Sequence, residues 1–182
     1  MKSSTYSDLD IYLHEQFLGN SELSNFLINR IKGYKNEENK IFKIFITGLA
    51  RSGTTALLNK IYLENKIASI TYKNMPFVLS PRLSNIFARL SQKNKKISSK
   101  TERIHGDGIQ ISIDSPECLD EPFWIKENAN YLNEKLNTNQ IYKKEILEAY
   151  QNFLNKHSTY QKRDKIIIKN NNNQVRLEQL CD

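Results

Sequence analysis

Short, continuous apolar runs alternate along this chain with longer segments whose apolar residues recur every three or four positions. Residues 41–47, IFKIFIT, are apolar and β-branched at nearly every position, which predicts a buried strand. A loop with two glycines follows, and Ala56, Leu57, Leu58, Ile61 and Tyr62 then predict the inward face of a helix. IASITY at 67–72 reads as a second short strand. Residues 42–72 therefore predict strand, loop, helix, strand, which is a βαβ unit with a parallel sheet. Further along, the pattern predicts a helix over about 82–93, a mobile Lys/Ser-rich loop at 92–100, and a short hairpin around Ile109, Ile111 and Ile113. The strongest helical periodicity lies at 139–157, where Tyr142, Ile146, Tyr150, Phe153 and Leu154 line one face. KIIIK at 165–169 is another buried strand, and Val175, Leu177 and Leu180 suggest a helix after the asparagine run 170–173. That run reads equally as a structured turn or as disorder. Upstream, Leu23, Phe26, Leu27 and Ile31 predict one or two short helices within 8–34, capped at Asn20 or Ser21 and ended at Gly33.

Composition narrows the class without deciding it. The 182 residues fit one domain, read as an N-terminal helical extension over 1–40 and an α/β domain over 41–182. No apolar run reaches the roughly 18 residues of a membrane span, and the N-terminus has no apolar core of a secretory signal. Cys118 and Cys181 lie far apart without a CxxC partner, which suits a reducing cytoplasm and suggests neither a disulfide framework nor a metal site. The net charge of +7 comes from scattered lysines. It fits a solvated surface or an anionic ligand; without basic–aromatic interleaving, nucleic acid is disfavoured as a partner.

The chemistry concentrates in GLARSGTT, residues 48–55. Gly48 and Gly53 let the backbone fold close around an anion, and the helix that begins near Gly53 adds its positive dipole end. Ser52, Thr54 and Thr55 add hydroxyl donors. A nucleoside triphosphatase loop carries a lysine where this chain has Thr54, and that lysine reaches the terminal phosphates beside a magnesium ligand. Here the cation is Arg51, a planar and permanently charged fork suited to tetrahedral oxyanions. The loop matches a phosphate ester or mixed anhydride better than a magnesium-bound triphosphate.

FITGLARSGTTALL resembles the 5′-phosphosulfate loop of sulfotransferases that use 3′-phosphoadenosine 5′-phosphosulfate (PAPS), in the Arg-Ser-Gly-Thr-Thr variant of tyrosylprotein and bacterial enzymes. MPFVLSP (75–81) is similar to the acceptor-side region of bacterial members. IIIKNNNNQVRL (166–177) is similar to their strand-Lys-Asn-x-x-x-Arg segment. The resemblance covers about residues 41–180. It implies a P-loop-like three-layer α/β fold, with a parallel sheet flanked by helices, and sulfonyl transfer from PAPS to a hydroxyl or amine acceptor without metal. Carried over by position, Gly48, Arg51, Ser52, Gly53, Thr54 and Thr55 bind the phosphosulfate, while Arg51 and Lys169 stabilise charge at the transferring group. Lys169 ends a buried strand, where open α/β sheets bind their ligands.

Attack by a hydroxyl needs a base. The family's Glu soon after the second strand has no counterpart in SITYKNMP, so the candidates fall in RIHGDGIQISIDSPECLDEPFW. Glu121, beside an aromatic pair, is preferred over His105, with Asp107 and Asp120 nearby. The family's 3′-phosphate segment is expected beyond the asparagine helix and does not occur before Asp182. The expectation is a domain incomplete at its C-terminus, whose exposed sheet edges favour self-association and whose independent activity is in question. The competing readings are a non-catalytic anion- or nucleotide-binding module and a small-molecule P-loop kinase.

Overall fold

FKIFI and KIIIK have the same apolar, β-branched character, and they pair although most of the chain separates them. A computed structural model describes residues 41–75, 77–84, 86, 89, 101, 102, 110–127 and 141–181. Along the chain come β1 (Phe42–Ile46), α1 (Thr54–Asn65), a 3₁₀ turn (Tyr72–Asn74), β2 (Thr101–Glu102) and β3 (Gln110–Ile111). They are followed by α2 (Glu121–Glu127), α3 (Lys144–Tyr160), β4 (Lys165–Lys169), a second 3₁₀ turn (Asn171–Val175) and α4 (Leu177–Cys181). The expected helical extension over 1–40 and the loop at 92–100 lie outside the described residues.

β1 and β4 run parallel, in register from Phe42 opposite Lys165 to Ile46 opposite Lys169. β4 is the central element, buried from Ile166 onward, and its side chains alternate between two cores. Ile166 and Ile168 pack with Phe123 and Trp124 of α2 and with Tyr150, Phe153 and Leu154 of α3. Ile167 points the other way, toward Leu58 of α1, Ile46 and Ile67. The period of two along one strand thus places α1 on one face and α3 on the other. The result is a mixed helix-and-strand arrangement around a small parallel sheet, in line with the expected α/β class. The aromatic side is the larger core, with Trp124 and Tyr150 ring centroids 4.4 Å apart and Phe123 and Phe153 centroids 5.5 Å apart. Each fully buried aromatic contributes roughly 1.5–3 kcal/mol of burial.

Residues 67–71 depart from the expected strand. They lie beside β4 but form only one parallel bridge, Ala68 to Ile166, and one antiparallel bridge, Thr71 to Pro116. The ladder stops because the Ser69 hydroxyl takes the Ile167 carbonyl at 2.8 Å, while on the border away from β4 a side chain takes the Ser69 backbone. The Gln161 side chain accepts from the Ser69 amide at 3.3 Å and donates to the Ser69 carbonyl at 2.8 Å. Beyond it, the Glu117 amide donates to the Ile70 carbonyl at 3.4 Å.

Smaller differences have local causes. In α1 the buried face runs through Thr55 and Leu58, with Ile61 and Tyr62 half-buried, while Ala56 is exposed and Leu57 is 51% exposed. The 3.6-residue period centres the stripe on Leu58 and turns its two neighbours outward. α3 begins at Lys144, later than expected, because Lys143 is extended (ψ 144°). Tyr142 is buried all the same, held before the helix by its amide donating to Gln179 Oε1 at 2.6 Å. The hairpin is short: Thr101 pairs with Ile111 and Glu102 with Gln110. The asparagine run is ordered as a 3₁₀ turn, with Asn170 Oδ1 accepting from the Asn172 amide at 2.9 Å. Residues 81–84, 86 and 89 are helical, which covers part of the helix expected over 82–93. Among the described residues no helix is long and apolar enough to cross a membrane.

Candidate functional site

β1 ends at Ile46, and the chain turns through 47–53 before α1. The Ser52 amide closes the turn by donating to the Leu49 carbonyl at 3.2 Å. Gly48 leaves room for the loop side chains, since a Cβ there would meet Ser52 Oγ at 2.9 Å and Thr54 Cγ2 at 3.1 Å, so that Ser52 would have to turn. Gly53 is required by conformation, with φ 81° at the N-cap of α1. Arg51 adopts φ 69° without glycine's freedom, a strain of order 1–3 kcal/mol for a side-chain-bearing residue. Arg51, Ser52 and Gly53 are exposed. Gly53 offers no capping side chain and the first turn of α1 carries no acid, so its dipole end is not neutralised from within.

The three hydroxyls diverge. Ser52 is exposed with the loop, whereas Thr55 is buried. Thr54 Oγ1 donates to Asn171 Oδ1 at 3.4 Å, and Thr47 Oγ1 donates to the Asn171 carbonyl at 3.2 Å. Asn171 therefore ties both ends of the glycine loop to the turn that follows β4. The Asn170 amide adds a bond to the Ile46 carbonyl at 3.0 Å.

Lys169 ends β4 beside Ile46. Instead of facing solvent, its ammonium lies 3.3 Å from Glu117 Oε1, with side chains 10% and 13% exposed. The same carboxylate oxygen accepts from the Cys118 amide at 3.2 Å. The Glu117 backbone bonds to Ile70 and its side chain reaches Lys169, so the residue spans the carboxyl ends of 67–71 and β4. Sequence reasoning passed over Glu117. Its signal was the position Pro-Glu-Cys, just before the acidic pair that drew attention.

Glu121 has a different environment from the one expected of a base. It is the first residue of α2, and its carboxylate is taken by donors: Asn170 Nδ2 on one oxygen and Asn172 Nδ2 at 3.0 Å on the other. Arg176 Nη1 lies 3.8 Å away. Arg176 is fully buried, stacked 4.4 Å over the Trp124 ring and bonded to Asn173 Oδ1 at 3.0 Å. Asp120 completes the cluster. It accepts from Tyr150 Oη at 2.7 Å, Trp124 Nε1 at 3.3 Å and Asn170 Nδ2 at 3.2 Å. Complete burial pushes the Asp120 carboxyl up to about 6, and burial raises the neighbouring Cys118 thiol too. His105 and Asp107 lie outside the described residues. Among the described residues, no group of three or more His, Cys, Asp or Glu side chains gathers where it could hold a metal ion.

The glycine loop, Asn171, Lys169 and Glu117 thus lie at the carboxyl ends of the parallel strands, with the exposed Arg51 on the loop and one carboxylate facing the lysine. Such an arrangement can hold an oxyanion and move a proton beside it. No protein-family model matches the chain, and no curated protein or solved structure matches it.

Proposed function

We propose that this site transfers a sulfonyl group from PAPS to a hydroxyl-bearing acceptor. The observation that carries the reading is the nearly buried Glu117–Lys169 pair, joined through Asn171 to a glycine loop whose cation is the exposed Arg51. The residues present fit a phosphosulfate: a side chain at Gly48 would crowd Ser52 and Thr54, Gly53 opens the helix end, and Arg51 and Ser52 face solvent. A kinase reading is weaker, because Thr54 replaces the lysine and gives its hydroxyl to Asn171.

When bound, PAPS supplies an activated sulfonyl group on a phosphate leaving group. Arg51, Ser52 and the α1 amides hold the anionic oxygens, and Lys169 stabilises the electron pair left on the departing phosphate oxygen. As the acceptor oxygen bonds to sulfur and the sulfur–phosphate oxygen bond breaks, Glu117 takes the hydroxyl proton. In the free protein the Lys169 ammonium lies 3.3 Å from Glu117 Oε1 and occupies that carboxylate. When the lysine turns to the leaving oxygen, the carboxylate is released to act as base. Glu121, expected as the base, is instead assigned to holding Asn170, Asn172 and Arg176.

Calorimetry with 3′-phosphoadenosine 5′-phosphate, set against ATP with magnesium, tests the reading. Binding of the bisphosphate alone is expected, and Arg51→Ala should weaken it at least tenfold. Binding of ATP alone would overturn the assignment. Glu117→Gln should lower turnover about 10²–10⁴-fold with little change in nucleotide affinity. If Glu121→Gln does this and Glu117→Gln does not, the two roles are reversed.

A further inference from the structure

At the far end of α1 from the glycine loop lies a concavity of about 470 Å³. That volume is within the range of small-molecule sites. It lies between the C-terminal turns of α1 and α3, along the side of 67–71 that Gln161 closes. Among the described residues its lining includes four cationic side chains, Lys66, Lys73, Arg89 and Arg163, and no acid. Lys73 reaches an exposed partner outside the lining, Asp114 at 3.1 Å. Among the described residues no acid pairs with Lys66, Arg89 or Arg163. Cations gathered around one low-dielectric wall repel one another, and an anion between them lowers that energy. Tyr62 and Tyr160 add aromatic walls, with Leu63, Ile67 and Pro81 apolar beside them.

We infer that this concavity is a second anion site, separate from the glycine loop, for a small molecule that joins a phosphate or sulfate group to an apolar or aromatic body. The arginine forks suit tetrahedral oxyanions, and the tyrosine rings suit the body. The site shares no residue with the glycine loop. α1, with 12 residues, separates the two by about 18 Å at 1.5 Å per residue. A ligand here is therefore too far away to receive the sulfonyl group, and the inference holds whatever the glycine loop binds.

Calorimetry on the whole chain with phenyl phosphate, phenyl sulfate and inorganic phosphate tests it. One of the aryl esters should bind more tightly than inorganic phosphate, and whichever binds more tightly names the anionic group. The Lys66→Ala/Arg163→Ala double variant should weaken that binding at least tenfold. These two side chains are exposed, so its thermal transition should match the parent. Arg51→Gly should leave the affinity within twofold. Tyr160→Ala should remove the preference for the aryl esters while keeping the phosphate. An affinity unchanged in the double variant, or lost in Arg51→Gly, overturns the inference, as does a failure of both aryl esters to bind.

Discussion

The glycine loop and the cluster formed by residues 120–121 and 170–176 both sit at the carboxyl ends of β1 and β4, yet they treat polar groups in opposite ways. In the cluster, charges answer one another: Asp120 takes three donors, Glu121 binds two asparagines beside Arg176, and Arg176 stacks on Trp124. In the loop, Arg51 is exposed and strained, and the helix end behind it lacks an acid. Polar groups satisfied by one another hold a fold together, because unmaking any one leaves a buried partner orphaned. Polar groups turned to solvent at a preformed turn are available to a ligand. The comparison divides the sequence-derived candidates, with Arg51 on the ligand side and Glu121 on the structural side. The Glu117–Lys169 pair stands between them, nearly buried but joined to the loop.

The largest test of this division is Arg176→Ala. It leaves Glu121 without its cation and Trp124 without its stacked partner, and should cost about 3–5 kcal/mol. At this chain length thermal unfolding should show a fall of roughly 10 °C. A fall under 2 °C would mean that the cluster is not what holds the two segments together.

Next comes the response to pH. Burial lifts Asp120 from 3.8 to about 6, so the folded chain keeps a proton that the unfolded chain releases, and stability falls as pH rises through that window. His157 is buried against Phe153, with Nε2 donating to the Val78 carbonyl at 3.0 Å, and burial lowers it from 6.5 to about 4. Its contribution runs the other way: stability falls as pH drops from 6.5 toward 4. The two slopes oppose each other in the parent. His157→Gln keeps a donor for Val78 and removes one slope. Its stability relative to the parent should therefore decline by about 3 kcal/mol as pH rises from 4 to 6.5. Chemical denaturation at a series of pH values reads this directly, and parallel curves would exclude a neutral buried His157.

Glu121→Gln should cost about 1–3 kcal/mol, since a new amide donor faces Asn170 or Asn172. Its nucleotide affinity should stay within about threefold of the parent once folding is accounted for. The smallest effect is expected for Arg51→Gly. Relief of the φ 69° strain and the greater freedom of the unfolded chain nearly cancel, so the transition should stay within about 3 °C of the parent or rise slightly. Anion binding at the loop should nonetheless be lost, which separates what the loop does for ligand from what it does for stability.

What the sequence could convey follows from the range of each interaction. β1, α1 and β4 were readable because an apolar run, two glycines and a 3.6-residue stripe are local features. The ordered asparagine turn was half-readable, because Asn170 bonds its own neighbour two residues on. The fate of 67–71 was not readable. Its ladder is cut by the Ser69 hydroxyl and by Glu117, its outer border is taken by Gln161, and no periodicity announces a side chain that replaces a strand. For the same reason the partners of Glu121, expected as the base, were not readable. An acid beside aromatics looks alike whether it faces substrate or two asparagines fifty residues later. Glu117 was missed because its meaning depends on Lys169, across the gap between two strand ends.

The Gln161 amide bears on how chains can meet. By occupying both the amide and the carbonyl of Ser69 it acts as a one-residue strand and seals that border of the sheet. Among the described residues β1 pairs only with β4, and Phe42 is 62% exposed, so within that set the opposite border is open. A sheet receptive on one border can add a single neighbour, and two such sheets joined back to back have no border left. For the described residues, strand-mediated association would therefore close at a pair and not propagate into a fibre.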